Sequence, residues 1–227
     1  MLLSPEALES LRGRLIVSCQ AYPGEPMRDP RTTAQVAASA VTGGAAAVRV
    51  QGLADVQHTR AAVELPIVGL WKDGHDGVFI TPTLRHALAV ANAGAHIVAV
   101  DGTRRDRPDG LTLAQTIAGI HQDSHALVMA DCGSLQDAAA AVDAGADLIG
   151  TTLAGYTGER PKTHGPDLEL LSEIAAAGFD APLIAEGRIH TPAQARQALD
   201  AGAFAVVVGT AITHPASITG WFVDALK

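Results

Sequence analysis

The sequence predicts an α/β fold in which eight parallel strands alternate with helices and close into a (β/α)8 barrel, one domain over residues 1–227. Three observations carry that prediction. Four times a helix-like stretch ends in a Gly-Ala pair and passes straight into an apolar run: TGGAAAVRV (42–50), NAGAHIVAV (92–100), DAGADLIGT (143–151) and DAGAFAVVVG (200–209). Four further strand-like runs lie between them, LIVSC (15–19), PIVGL (66–70), ALVMA (126–130) and PLIA (182–185). Finally, the chain is 48% hydrophobic but only 4% aromatic, a mix suited to small-residue packing of helices on a parallel sheet.

Each element has a local reason. In the four repeats the glycine supplies the left-handed residue that stops a helix, and the apolar run after it is a short strand buried on both faces. Strands alternating with helices pair in parallel through right-handed crossovers. Eight such units in 227 residues fit a TIM barrel, typically about 250 residues long. An open doubly wound sheet is the alternative, but no G-x-G-x-x-G follows the first strand.

Composition narrows function. A net charge of −8 with few aromatics argues against a nucleic-acid or anionic-membrane surface, while leaving room for a small anion bound by backbone amides. Cys19 and Cys132 have no C-x-x-C or Cys/His metal spacing, which fits a reducing, cytoplasmic setting. MLLSPEALESLRGR (1–14) carries charge throughout and lacks the apolar core of a signal peptide. No apolar run reaches the ~20 residues of a membrane helix.

In a barrel of this type the active site sits at the C-terminal ends of the strands. Those ends read Gln20, Arg49, Lys72, Asp101, Asp131, Thr151-Thr152, Glu186 and Gly209-Thr210. Glu186 closes a buried apolar run, where an unpaired carboxylate is costly; a cap or a pairing with Arg188 is the plain alternative to a chemical task. Lys72 follows strand three and Glu186 ends strand seven, diametrically opposite in an eight-stranded barrel, an arrangement suited to inverting a carbon centre. WKDGHDG (71–77) also reads as an ordinary loop carrying a solvated lysine. As a base Lys72 must be neutral, so its pKa must fall from ~10.4 by burial or a nearby cation such as Arg49; pairing with Asp131 would act the other way. Gly187-Arg188 and Gly209-Thr210 follow strands seven and eight, where barrels often bind phosphate. His190 and His214 lie near these loops as ligand contacts or helix-flanking residues. His75 with Asp73 and Asp76 is a weak metal pattern, and Cys132 reads as a buried structural thiol.

The segments at these ends form a familiar set: LRGRLIVSCQ (11–20), VRVQG (48–52), VDGTRRDRP (100–108), ADCGS (130–134), GTTLAGYT (150–157), IAEGR (184–188) and VGTAIT (208–213). Together, over essentially the whole chain, they resemble the N-acylmannosamine-6-phosphate 2-epimerase family. The resemblance implies a cofactor-independent, metal-free isomerase of sialic acid catabolism. Such an enzyme interconverts N-acetylmannosamine 6-phosphate and N-acetylglucosamine 6-phosphate by proton exchange at C2. It places the catalytic lysine on Lys72 and the catalytic glutamate on Glu186, supported by Gln20, Arg49 and Asp131. Substrate contacts are expected from Gln20, Thr152, Tyr156, Gly187, Arg188, Gly209 and Thr210, and a homodimer is implied.

Two positions depart from the pattern. Lys72-Asp73-Gly74 replaces a usual Lys-Arg-Asp with a longer loop, and His214 stands where an arginine usually follows Ala-Ile-Thr. Histidine grips phosphate less firmly than a bidentate arginine, unless Arg188 compensates. Two other classes fit the same residues: a Schiff-base aldolase or lyase using Lys72 as nucleophile, and a non-catalytic phosphosugar-binding barrel. A related barrel such as an indole-pathway isomerase fits by fold alone.

Overall fold

The computed structural model describes residues 3–19 and 21–227. Eight strands pair in parallel in chain order, and β1 (Leu15–Cys19) closes on β8 (Ala205–Val208), so the barrel has no free edge. Between them run β2 (Ala47–Gln51), β3 (Ile67–Leu70), β4 (Ile97–Asp101), β5 (Leu127–Asp131), β6 (Leu148–Gly150) and β7 (Leu183–Glu186). Every strand falls within, or one residue beyond, an apolar run read from the sequence.

The outer helices are α2 (Pro30–Thr42), α3 (Leu53–Ala62), α4 (Leu84–Asn92), α5 (Leu113–Asp123), α6 (Leu135–Asp143), α7 (Leu168–Ala177) and α8 (Pro192–Asp200). A five-residue α1 (Pro5–Glu9) precedes the barrel, and α9 (Thr210–Thr213) and α10 (Pro215–Ala225) complete the chain. Gly44, Gly94, Gly145 and Gly202, the repeat glycines, all have φ between 90° and 111°, so each is the left-handed stop that turns a helix into the next strand.

Two apolar cores result. One lies between strands and helices and includes Val48, Val98, Val128 and Leu170. The other fills the barrel with Ile16, Val68, Ile97, Met129, Ile184 and Val207, and is plugged at its lower end by Leu3, Leu11 and Phe204. Gly150 is needed here: a Cβ on it would collide with the Met129 methyl and lie 3.1 Å from Asp131 Oδ1. Above Met129 the filling turns from apolar to charged, and the barrel opens.

Candidate active site

The C-terminal ends of the strands open on a cavity of about 540 Å3, into which Lys72, Glu186, Arg49, Thr152, Tyr156, Gly187, Arg188, Gly209 and Thr210 all project. Lys72 and Glu186 enter from opposite walls, because β3 and β7 are four strands apart either way round the ring. Gln20 lies outside the described residues.

The floor of the cavity is a buried charge cluster. Arg49, 1% exposed, donates from Nη1 to Asp131 Oδ1 (3.2 Å) and from Nη2 to Oδ2 (2.6 Å). Its Nη1 also lies 3.2 Å from Glu186 Oε2. Thr152 Oγ1 lies within hydrogen-bond reach of both carboxylates, 2.7 Å from Asp131 Oδ1 and 3.2 Å from Glu186 Oε2. Asp131 is fully buried and does not reach the cavity; it holds Arg49 from below. The carboxylate weighed as a partner for Lys72 is therefore given to Arg49, and Glu186 pairs with Arg49 instead of Arg188. Thr151 fixes the Glu186 backbone, donating from Oγ1 to its carbonyl and accepting from its N–H, both at 3.0 Å.

Electrostatics follow from this packing. Burial pushes the Glu186 carboxyl up to about 7, against the opposing pull of Arg49; Asp131 adds to the rise, while Thr152 and Lys72 work against it. Burial also lowers the Lys72 pKa, Arg49 reinforces this, and Glu186 and Asp131 oppose it. For Arg49 burial disfavours the charge, but the two carboxylates outweigh it and its pKa is raised. The proton affinities of Lys72 and Glu186 are thus drawn toward one another, as general acid–base catalysis near neutrality would require.

Glu186 has a stability consequence with a definite sign. Its folded pKa lies above the unfolded value, so its contribution is complete below the unfolded pKa, near 4.5, and is lost as pH rises through about 7. Glu186→Gln is therefore expected to raise Tm relative to the parent protein at pH 8, with the gain vanishing by pH 4. Calorimetry across that range checks it; an equal difference at both ends would remove the buried carboxylate as its cause.

Lys72 is not on a free loop. Residues 71–81 form a small hairpin in which Lys72 bridges Ile80, Asp73 N–H donates to the Phe79 carbonyl at 3.0 Å, and Thr81 N–H donates to the Trp71 carbonyl at 2.7 Å. The loop-like reading of WKDGHDG holds only for the exposed tip. Asp73 turns away from His75 and meets His86 Nε2 at 3.2 Å, tying the hairpin to α4. His75 meets exposed Asp76 at 3.3 Å, and no three-ligand metal cluster occurs among the described residues. Thr81 and Arg188, the only described non-glycine residues with positive φ (46° and 55°), flank Lys72 and Glu186. Backbone strain is concentrated at this site.

The loops after β6, β7 and β8 form the remaining wall. Gly187, at φ 116°, needs glycine's freedom. Arg188 directs three N–H groups to the β6–α7 loop: Nε to Gly165 O (3.1 Å), Nη1 to Ala154 O (2.8 Å) and Nη2 to Thr163 Oγ1 (2.9 Å). The Tyr156 ring sits 5.4 Å from the Arg188 guanidinium and 4.8 Å from Lys162 Nζ. His214 lines the cavity, but its Nε2 is 2.7 Å from Glu25 Oε1 and its Nδ1 is 2.7 Å from Ser217 Oγ. His190 also lines it, its ring tilted 54° against that of Trp221 with centroids 4.8 Å apart. Cys132 is fully buried and its thiol is held well above the ordinary range, foremost by burial. Sequence reasoning missed Tyr22, whose ring faces Lys72 Nζ at 5.2 Å; half-exposed and in a loop, it gave no periodic signal.

With this geometry in place, comparison with known proteins is decisive. The family model described as "NanE: Putative N-acetylmannosamine-6-phosphate epimerase" matches residues 33–227. The chain belongs to this family. A protein of Cutibacterium acnes described as "Putative N-acetylmannosamine-6-phosphate 2-epimerase" is 62% identical over 221 residues, 97% of this chain and 96% of the relative. A Corynebacterium glutamicum protein with the same description is 48% identical, covering 95% and 94%. The solved N-acetylmannosamine-6-phosphate 2-epimerase of Clostridium perfringens superposes with a TM-score of 0.92 at 38% identity, covering 96% of this chain and 95% of that one. A thiamine phosphate pyrophosphorylase from Pyrococcus furiosus, at 20% identity and a TM-score of 0.60, shares the fold alone.

Proposed function

We propose that the protein is a cofactor-independent 2-epimerase that interconverts N-acetylmannosamine 6-phosphate and N-acetylglucosamine 6-phosphate in amino-sugar catabolism. The observation that carries this reading is the placement of Lys72 and Glu186 on opposite walls of one cavity, with proton affinities drawn together by burial and Arg49. In the open-chain sugar the C1 aldehyde acidifies the C2 proton. Neutral Lys72 takes that proton, the C2–H electron pair delocalises into the C1 carbonyl as a 2-acetamido enolate, and C2 flattens. The carboxylic acid form of Glu186 then delivers a proton to the opposite face, and the electron pair returns to C2. Lys72 ends as the ammonium and Glu186 as the carboxylate, the charge state from which the reverse reaction starts.

Arg49 steadies the Glu186 carboxylate, Asp131 orients Arg49, and Thr152 bridges the two acids. Gln20 and Tyr156 contact the sugar. The phosphate is held by backbone N–H groups of Gly187, Arg188, Gly209 and Thr210, the last two at the start of α9, ahead of the Ile212 and Thr213 N–H groups that donate to the Gly209 carbonyl. With three Arg188 donors committed to the β6–α7 loop and His214 committed to Glu25, those amides carry most of the grip.

The test is incubation with N-acetylmannosamine 6-phosphate in D2O, followed by proton NMR. Deuterium at C2 together with the gluco product is expected. Neither exchange nor product on folded protein would overturn the reading, and an adduct trapped by borohydride would point to Schiff-base chemistry at Lys72 instead.

A cytoplasmic homodimer without membrane or nucleic-acid association completes the proposal. Support for the dimer is the C-terminal end, where Phe222 on α10 is 70% exposed and Leu226, just past the helix, is 87% exposed. No helix among the described residues is long and apolar enough to cross a membrane. Sedimentation of the purified protein at micromolar concentration checks the dimer, and a monomer there would remove it.

A further inference from the structure

Tyr22 belongs to the β1–α2 loop, which is held from three sides. Tyr22 N–H donates to Glu25 Oε2 at 2.8 Å, and Glu25 Oε1 meets His214 Nε2 at 2.7 Å. Further along, Arg28 pairs bidentately with buried Asp55, at 2.7 and 3.0 Å. The His214 ring stands edge-on to the Tyr22 ring with centroids 6.2 Å apart. The tyrosine ring is thus set at a fixed place above the cavity, with its face toward Lys72 Nζ at 5.2 Å. That is cation–π distance, and such a contact acts only on the ammonium form.

The groups that act on the Lys72 charge come from four directions. Arg49 on β2 repels it, Glu186 on β7 and Asp131 on β5 attract it, and the Tyr22 ring faces it from the β1–α2 loop. His75, His190, His214, Arg188 and Tyr156 line the same cavity. Burial and Arg49 favour the free amine that starts proton abstraction, while the carboxylates that help the ammonium that ends it, Glu186 and Asp131, are both engaged by Arg49. The quadrupole of an aromatic face supplies that help without adding a charge that would pair permanently with the lysine.

We infer that Tyr22 is a positioning residue for Lys72: its ring face holds the side chain over the cavity and stabilises the ammonium formed when Lys72 takes the C2 proton. This rests on the proposed role of Lys72 as a base, but its test does not need that role. Lys72 is one of three lysines in the chain, beside Lys162 and Lys227, so each can be followed separately.

The experiment is trace acetylation of the folded protein across pH, with each lysine peptide quantified by mass spectrometry and Lys162 and Lys227 serving as internal references. Tyr22→Leu is expected to lower the apparent titration point of Lys72 by roughly half to one and a half pH units. Tyr22→Phe, which keeps the ring, is expected to leave that titration point in place. Pentafluorophenylalanine at position 22 keeps the ring's bulk but removes its negative face, and should titrate like the leucine variant. No displacement in either the leucine or the fluorinated variant overturns the inference. The pH profile of C2 exchange separates the two readings. An acid limb that moves with the Lys72 titration supports both; an unmoved limb beside a moved titration keeps the Tyr22 contact and removes Lys72 as the base.

Discussion

Lys72→Ala is expected to abolish deuterium incorporation from the manno epimer while leaving a slow exchange from the gluco epimer, and Glu186→Gln is expected to do the reverse. In the proposed mechanism each residue faces one side of C2, so each removes the proton of only one epimer. With Glu186 amidated, Lys72 still withdraws and returns the proton of the manno substrate on its own face, giving exchange without inversion. Without Lys72, Glu186 does the same to the gluco substrate. Epimerisation needs both, and the loss in either variant should be about 10²–10⁴-fold, the usual contribution of a positioned acid or base. The measurement is exchange and product, by NMR, from each pure epimer. Equal loss of exchange from both epimers in Lys72→Ala would mean that lysine acts on the substrate otherwise than as a one-sided base, and would reopen the Schiff-base route.

That crossed pattern could be designed from the sequence alone, because the barrel was legible there. Parallel strands buried on both faces read as unbroken apolar runs, and each repeat glycine marks where a helix must stop, so strand order and the identity of the strand-end residues followed directly. What could not be read was which partner each end residue takes. Arg49 and Asp131 are 82 residues apart and meet only because the barrel turns β2 and β5 inward at the same height. Arg188, placed by position alone among the phosphate groups, commits three donors to a loop whose irregular backbone has no periodic signature. His214 showed as a departure from the family pattern, but its compensating partner, Glu25, lies 189 residues away. Tyr22 sits beside it in the same loop. Loop side chains answer to tertiary contacts, and those are absent from local pattern.

Arg49 is where the largest stability effect is expected, and its sign bears on why the cluster exists. Arg49→Met leaves Asp131 and Glu186 buried without their cation, and removing one partner of such a group typically costs about 3–5 kcal/mol. Replacing the arginine with lysine does not restore the fork, since a single ammonium cannot serve both oxygens of Asp131 and also reach Glu186. Arg49→Met combined with Asp131→Leu should recover part of the loss, because an apolar replacement for a buried pair is often neutral or better. Activity should stay lost in that double variant. A cluster that apolar residues can replace for folding but not for turnover is kept for its field on the reacting pair. Arg49 lowers the proton affinity of both Lys72 and Glu186, so its removal raises both. In the proposed mechanism epimerisation in either direction requires the pair to hold one proton between them, and the limits of that state are properties of the pair. The residual activity of Arg49→Met should therefore show a bell displaced to higher pH on both limbs. Denaturant unfolding and a pH–rate profile on the same preparations measure the two effects separately. A profile that keeps its position while stability falls would reduce Arg49 to a structural ion and leave the low proton affinity of Lys72 to burial alone.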